Sequence, residues 1–584
     1  MLPQLYKMAN YTQCAENPSN YYCSAQARLI IPSTNLNTIN LIKNFSLDKT
    51  KFDREFIYRT QCIPKEFIQD DSELYYYASN LVNQEMEFFQ LSAKVEDVTC
   101  NKIGLEINTF DIICLVVVVF YNILLMFATY KEKSYEKEKG LKYAISRLSL
   151  FHTWKLRSKP PNTTDFKNLI NMNGTRVFGM LIIILLHIGV ASNTSFISDP
   201  EVYEKVYYTL VDSILGCLPV LIVLYFFLIS SWLLTIQVHN IYARGQLSLK
   251  NVGILILNRY FRLNLVIIVL MIISRSSWVT MIPGPANFYT VMANQKACSE
   301  NWLPSIFFIT NIYRGVHICN PVTWHVSADF QLYVINLFLL YIKFKFKFNN
   351  IKFLATILTC SIILHGITLR IFDNGPLYLA ELRYIEVRSI YQSLPYVVAY
   401  MSTYTLWSSS LIGVIFGIIY IKTKNFTIKP NAVLNTIWCS TSFGLIYLAI
   451  KMGAIKINGI KASLLGCLIR PIFSLGCALG VYGMSHNLGG PIKNLMESKV
   501  FIILSNCVYC VYLIHMPTML LINRFSMEPI NFDYWKVIQD YIVSVILSFL
   551  IGIYFTLAIE EPGNMIQKKI LPQITKWEKI SKTE

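Results

Sequence analysis

The chain has 584 residues; 54% are hydrophobic and only 15% charged, and the mean hydropathy is +0.43. Soluble globular proteins carry about 25% charged residues, so this composition excludes a soluble protein. The formal net charge of +17 does not point to nucleic acid, because the basic residues fall in loops between apolar stretches, where Lys and Arg mark the cytoplasmic side of a membrane protein.

Residues 1–105 contain no stretch able to span a bilayer. They are polar and aromatic-rich, and they hold Cys14, Cys23, Cys62 and Cys100. Four cysteines before the first span suggest two disulfides among three possible connectivities, which requires an oxidising, extracytoplasmic location. Sequons at Asn10 and Asn44 fit that side. The N-terminus, MLPQLYKMANYTQC, lacks the apolar core of roughly 7–15 residues that a signal peptide carries. Either the chain starts downstream of its natural beginning or the first span exports the segment.

A span needs roughly 20 mostly apolar residues, because the hydrocarbon core is about 30 Å thick. The first lies within 106–129, from Phe110 onward. A basic loop follows at 130–170, with Lys131, Lys133, Lys137, Lys139, Lys142, Arg147, Lys155, Arg157, Lys159 and Lys167 against four acids. A membrane domain at 171–565 then carries apolar stretches at 176–193, 212–234, 263–283, 326–342, 353–371, 395–420, 432–450, 462–484, 500–522 and 539–559, and a basic tail occupies 566–584. Alternation places Arg259 and Arg262, the Lys343–Lys352 and Lys422–Lys429 loops and the tail on the same side as the 130–170 loop. The expected fold is therefore an all-α polytopic membrane bundle of about eleven transmembrane helices with a small disulfide-bearing extracellular domain. Its N-terminus is outside and its C-terminus cytoplasmic, in the plasma membrane or secretory pathway. On this map Asn44 and Asn193 face the glycosylating side and Asn425 does not. Cys298 and Cys319 share one external loop and are expected to bridge.

Ionisable groups inside a bilayer are costly and are functional candidates by default. His187 falls near mid-membrane; imidazole takes and returns protons at neutral pH, though a packing histidine bonded to a carbonyl would look the same. Arg259 and Arg262, at i and i+3, share a helical face at the cytoplasmic mouth. Paired guanidinium forks suit phosphate oxygens, and simple positive-inside anchoring is the plainer reading. In WHVSADFQ, His325, Asp329 and Gln331 offer a base, a carboxylate and an amide at the external mouth, with Trp324 as a candidate contact or an interfacial anchor. His515 lies deep in an aromatic span before Pro517 and reads equally as packing. Neither G-x-x-x-x-G-K-[ST] nor H-E-x-x-H occurs, so no P-loop and no metal site is expected.

At these motifs the chain resembles the membrane acyltransferase-3 family, and in particular its animal "nose resistant to fluoxetine" branch. NGTRVFGMLIIILLH is similar to the family's opening N-G-x-R…H helix, and NRYFRL to its R-Y-x-R-L segment. Cys298 through Trp302 to Cys319, followed by W-x-x-x-x-D-x-Q, is similar to the branch's C…W…C…W-Y-L-x-x-D-x-Q. YCVYLIH is similar to Y-C-x-Y-L-x-H, and EEPGNMIQK to the E-x-P ending. Upstream, YTQC…YYC and YRTQCIP resemble the branch's cysteine-bearing extracellular domain.

The resemblance implies an acyltransferase-like protein with His187 and Asp329 as catalytic residues. Arg259, Arg262, Trp324, Gln331 and His515 would lie around donor and substrate. The donor implied is an acyl-CoA, and the acceptor carries a hydroxyl. The branch's name also points to a lipid or small-molecule transporter or binding protein without catalysis, with membrane lipids as partners. The departures bear on that choice. The family's S-V-D-x-F-F-F-x-S-G helix has Leu224 in place of its acid and Ser231 in place of its glycine. The R-x-x-P-Y segment is lost around Leu406–Ser410, and Leu265 stands where a proline follows R-L-x.

Overall fold

A four-stranded sheet opens the chain in the computed structural model, which describes residues 2–574 except 18, 31–35, 49, 103–106, 160–162, 213, 281–284, 286–287, 314–317, 347, 349, 374, 378–392 and 427. The strands β1 (Tyr6–Lys7), β2 (Asn20–Ile30), β3 (Phe56–Pro64) and β4 (Ser92–Lys102) lie in the order β1-β3-β2-β4. Strand β2 runs antiparallel to both of its neighbours. Helix α1 (Asp71–Glu87) starts where the Asp70 carboxylate accepts from the Ser72 N–H. Its buried residues Leu74, Ala78, Val82 and Met86 recur every fourth position, so they form one stripe, and they pack on Cys23, Ala25, Ile57 and Ile63 of the sheet. Two disulfides, Cys14–Cys62 and Cys23–Cys100, close this domain with Cα separations of 5.7 and 4.0 Å. The four cysteines pair among themselves as expected. Cys298–Cys319 is also bridged.

Among the described residues ten helices are long and apolar enough to cross a membrane, and a bent pair makes an eleventh. They are α2 (Thr109–Tyr135), α3 (Asn171–Asn193), α4 (Ile214–Ala243), α5 (Leu249–Arg275), α6 (Thr323–Phe346), α7 (Asn350–Ile371) and α8 (Thr403–Thr423, entered through a π-helical turn at Tyr396–Met401). There follow α9 (Ala432–Gly453), α10 (Gly459–Ser485), the pair α11 (Lys499–Ser505) and α12 (Val508–Asn523), and α13 (Tyr534–Phe555), which runs on through a π turn at Thr556–Glu560 into Glu561–Ile570. Every expected span has its helix.

Two spans differ in detail. Helix α5 begins at Leu249, where the Ser248 hydroxyl caps the Asn251 N–H, rather than near residue 263. Arg259 and Arg262 thus lie about three turns inside the helix and not at its mouth. The span expected at 500–522 is bent by 71° between α11 and α12. At the break the Asn506 side chain donates to the Arg157 carbonyl (3.0 Å), which ties the bend to the basic loop.

Burial orders the bundle from centre to rim. Over their apolar windows α4 is 78% buried and α8 67%, against 11% for α2 and 17% for α9; α4 and α8 are therefore the axis, and α2 and α9 face outward. A helix apolar on all sides belongs in such a centre. The axial pair approaches so closely that a Cβ at Gly413 would stand 2.1 Å from the Leu228 carbonyl oxygen, which only glycine permits.

The sheet domain docks on one end of the bundle. Tyr6, Phe52 and Tyr58 pack against Phe196, Tyr203 and Phe532, and the Phe52 N–H donates to Glu204 (2.8 Å), which also pairs with Arg54 (3.4 Å). The helix that carries Cys298 is tied to this end by the Thr290 hydroxyl, which donates to the Thr194 carbonyl (2.8 Å). The opposite end holds the basic loop, where Arg157 pairs with Glu560 (2.7 Å) and Glu561 (2.9 Å) and Lys424 with Asp165 (3.0 Å). Asn193, one of the two sequons expected on the glycosylating side, is 1% exposed in the folded chain. Asn44 is exposed.

Candidate active site

Helix α3 carries two of the groups. Arg176 and His187 are eleven residues apart, which in an α-helix is a separation of about 16 Å with both side chains on the same face to within about 20°. His187 meets His515 of α12: its Nδ1 lies 2.7 Å from the His515 Nε2. The ring planes are within 16° of each other and the centroids 4.9 Å apart. Face-to-face rings cannot bring ring atoms that close, so the two imidazoles are hydrogen-bonded edge to edge. His515 is 0% exposed and its Nδ1 lies 2.6 Å from the Tyr512 carbonyl oxygen; His187 is only half-buried.

The sequence of α12 explains how His515 is held. Pro517 lacks the N–H that would close on the Leu513 carbonyl, and the Asn320 side chain donates to that carbonyl instead (3.0 Å). Tyr512 donates its hydroxyl to the Val322 carbonyl (3.1 Å), so α12 is anchored to the segment that enters α6 at two points. His325 of α6 sits between Phe227 (centroids 4.4 Å apart) and Tyr512 (5.1 Å). Its buried Nε2 has no hydrogen-bond partner among the described residues.

One turn further, Asp329 pairs with Arg259 of α5 at 2.5 Å, and the same guanidinium donates to the Ser230 hydroxyl (3.0 Å) and lies 4.3 Å over the Tyr333 ring. Arg262 points away from this pair, more than half exposed, with Glu560 at 3.6 Å. Arg176 interacts electrostatically with Arg259, Arg262, Asp329 and Tyr225 but has no ion pair or hydrogen bond among the described residues. Four guanidiniums, at Arg157, Arg176, Arg259 and Arg262, thus gather around three carboxylates, at Asp329, Glu560 and Glu561. The cluster has an unmatched positive charge suited to an anion.

The sequence-derived candidates therefore divide. His187 and His515 touch, as do Asp329 and Arg259, and His325 with Tyr512 links the two pairs. Trp324 packs on His325 and Tyr400 (5.8 and 5.2 Å). Gln331 is turned elsewhere. It donates to the Phe308 carbonyl (2.7 Å) and Asn311 (2.9 Å) and accepts from Thr403, and so holds the segment after Trp302 against the start of α8. Arg176, Glu560 and Tyr512 were missed. The eleven-residue spacing between Arg176 and His187 was the available signal for the first. No group of three His, Cys, Asp or Glu able to hold a metal occurs among the described residues.

The acyltransferase domain family matches residues 169–559, which include both histidines of the pair, His325, Asp329, Arg176, Arg259 and Arg262; Arg157, Glu560 and Glu561 lie just outside the match. The chain belongs to the acyltransferase-3 family. It is 25% identical over 340 residues to "Nose resistant to fluoxetine protein 6" of Caenorhabditis elegans, over 53% of this chain and 39% of that protein. The chain thus spans well under two thirds of this curated relative. No solved structure matches.

Of the positions where the sequence was expected to depart from the family's pattern, Leu224, Ser231 and Leu406 lie on the axial helices α4 and α8, and Leu265 lies on α5. Leu224 is 1% exposed and Leu406 fully buried, so neither site retains a charge. Ser231, in the glycine position, joins a buried network: its hydroxyl lies 2.5 Å from that of Ser410, the Asn336 amide donates to both, and Trp407 donates to Asn336 (3.0 Å).

Proposed function

We propose that this membrane protein moves an acyl group from a thioester donor, an acyl-CoA, to the hydroxyl of an acceptor. The pairing of His515 with half-buried His187, on the helix that also bears Arg176, which has no ion pair or hydrogen bond among the described residues, carries the reading. An anion held at Arg176 lies about 16 Å along α3 from the imidazole, so it must be joined to the reacting carbonyl by an extended arm, which is the shape of a coenzyme A thioester. His187 takes the acceptor's hydroxyl proton on its free ring nitrogen. The oxygen bonds to the thioester carbon, the C–S bond breaks, and the imidazolium returns the proton to the thiolate. The basic loops support a cytoplasmic donor entrance, and the disulfides and exposed Asn44 support an extracytoplasmic sheet domain, as in a plasma-membrane or secretory-pathway protein.

Leu224 favours a second reading, in which the same site binds or moves a lipid or small molecule without chemistry. Purified protein with labelled acyl-CoA of several chain lengths separates the two. Acyl transfer or thioester hydrolysis that falls about 10²–10⁴-fold in His187→Ala is the expected result. Turnover no higher than that of His187→Ala, with labelled lipid crossing vesicles that contain the protein, establishes the second reading.

A further inference from the structure

We infer that His515 is the positioning residue of this site: it fixes the tautomer of His187 so that Nε2 is the nitrogen that accepts a proton. The inference rests on reading His187 as the base. A carbonyl oxygen only accepts hydrogen bonds, so the bond from His515 to Tyr512 (2.6 Å) places a proton on the His515 Nδ1. In a neutral imidazole the other nitrogen then bears the lone pair. The His515 Nε2 therefore accepts, and across the 2.7 Å contact the His187 Nδ1 is the donor. That leaves the His187 Nε2 with its lone pair on the part of the ring that is not buried.

The order of bonds, Tyr512 carbonyl to His515 to His187, takes the place of the carboxylate that commonly orients a catalytic histidine. No carboxylate bonds to either ring among the described residues, and Leu224 occupies the family's acidic position. Full burial keeps His515 off the substrate. When the His187 Nε2 takes a proton, its Nδ1–H stays on the His515 lone pair, so the imidazolium keeps a partner for the charge it gains. Asn320 fixes the turn before Pro517 (3.0 Å) and so holds the His515 ring in the plane this requires.

Nitrogen-15 NMR on the full chain, labelled at its eight histidines and embedded in phosphatidylcholine bilayers near neutral pH, tests this without any turnover. The His187 signals are those absent from His187→Gln. A protonated Nδ1 and a bare Nε2 on His187 are expected, and in His515→Phe that signature is lost to the opposite or a mixed tautomer. A wild-type His187 protonated on Nε2 overturns the inference without recourse to any variant, and so does an unchanged His187 signature in folded His515→Phe. Because neither spectrum depends on acyl transfer, failure of the enzymatic reading and failure of this one are separately visible.

Discussion

Arg259 and Asp329 meet at 2.5 Å from helices that run in opposite directions, one ten residues from the start of α5 and the other six residues from the start of α6. The pair joins α5, which also carries Arg262, to α6, which also carries His325. Removing one member strands a largely buried charge. Asp329→Asn should cost about 3 kcal/mol, toward the low end of broken buried pairs because both groups keep some exposure. Thermal unfolding in detergent should show it, and the double variant Arg259→Met/Asp329→Leu should recover most of the loss.

Arg176 behaves differently, because it has no ion pair or hydrogen bond among the described residues. Arg176→Ala should leave the unfolding temperature within a few degrees of wild type. It should weaken acyl-CoA or inorganic pyrophosphate binding roughly tenfold to a hundredfold, since a charge-assisted hydrogen bond contributes about 1.5–3 kcal/mol. Titration calorimetry on the solubilised protein measures this. Equal affinity in wild type and variant removes Arg176 from the donor site.

The disulfides close loops of different length, with sequence separations of 77 for Cys23–Cys100 and 21 for Cys298–Cys319. Loop entropy then assigns about 4.5 kcal/mol to the first and about 3 kcal/mol to the second. Paired Cys→Ala variants should lower denaturant resistance in that order, with the first effect confined to the sheet domain.

Docking of the sheet domain should depend on acidity through Glu204. Burial pushes its carboxyl above the usual carboxylate range, against the opposing pull of the Phe52 N–H and Arg54. A group whose folded pKa is raised stabilises the folded form below its unfolded pKa and loses that contribution as pH rises through the folded value. Glu204 therefore favours the docked domain most strongly below about pH 4.5 and progressively less as it ionises. Glu204→Gln should flatten this dependence while keeping a carbonyl for the Phe52 N–H. Hydrogen exchange at Phe52 across the acidic range reads it directly.

The spans were legible because length and apolarity alone define them. The extent of α5 was not, since Arg259 and Arg262 look like the end of a span until Asp329 and Glu560 are known to face them. The sheet was also hidden. Tyr22, Cys23, Ser24 and Ala25 of β2 are all buried, so the alternation that betrays a half-exposed strand is missing there. His187 and His515 were each visible as an ionisable group in an apolar span. Their contact was not, because they are 328 residues apart and only the packing of α3 on α12 brings them together. The buried hydrogen bonds among Ser231, Ser410 and Asn336 were not legible either, because the three residues come from three helices far apart in sequence.

The missing N–H at Pro517 reaches further than its own helix. The carbonyl it frees is claimed by Asn320, the residue next to Cys319, so the strut that steadies the His515 turn is mounted on a cystine loop. The cystine therefore does more than close its own loop: it is one backbone step from the contact that satisfies the carbonyl freed at Pro517, so the external loop and the histidine-bearing turn are joined through a single side chain.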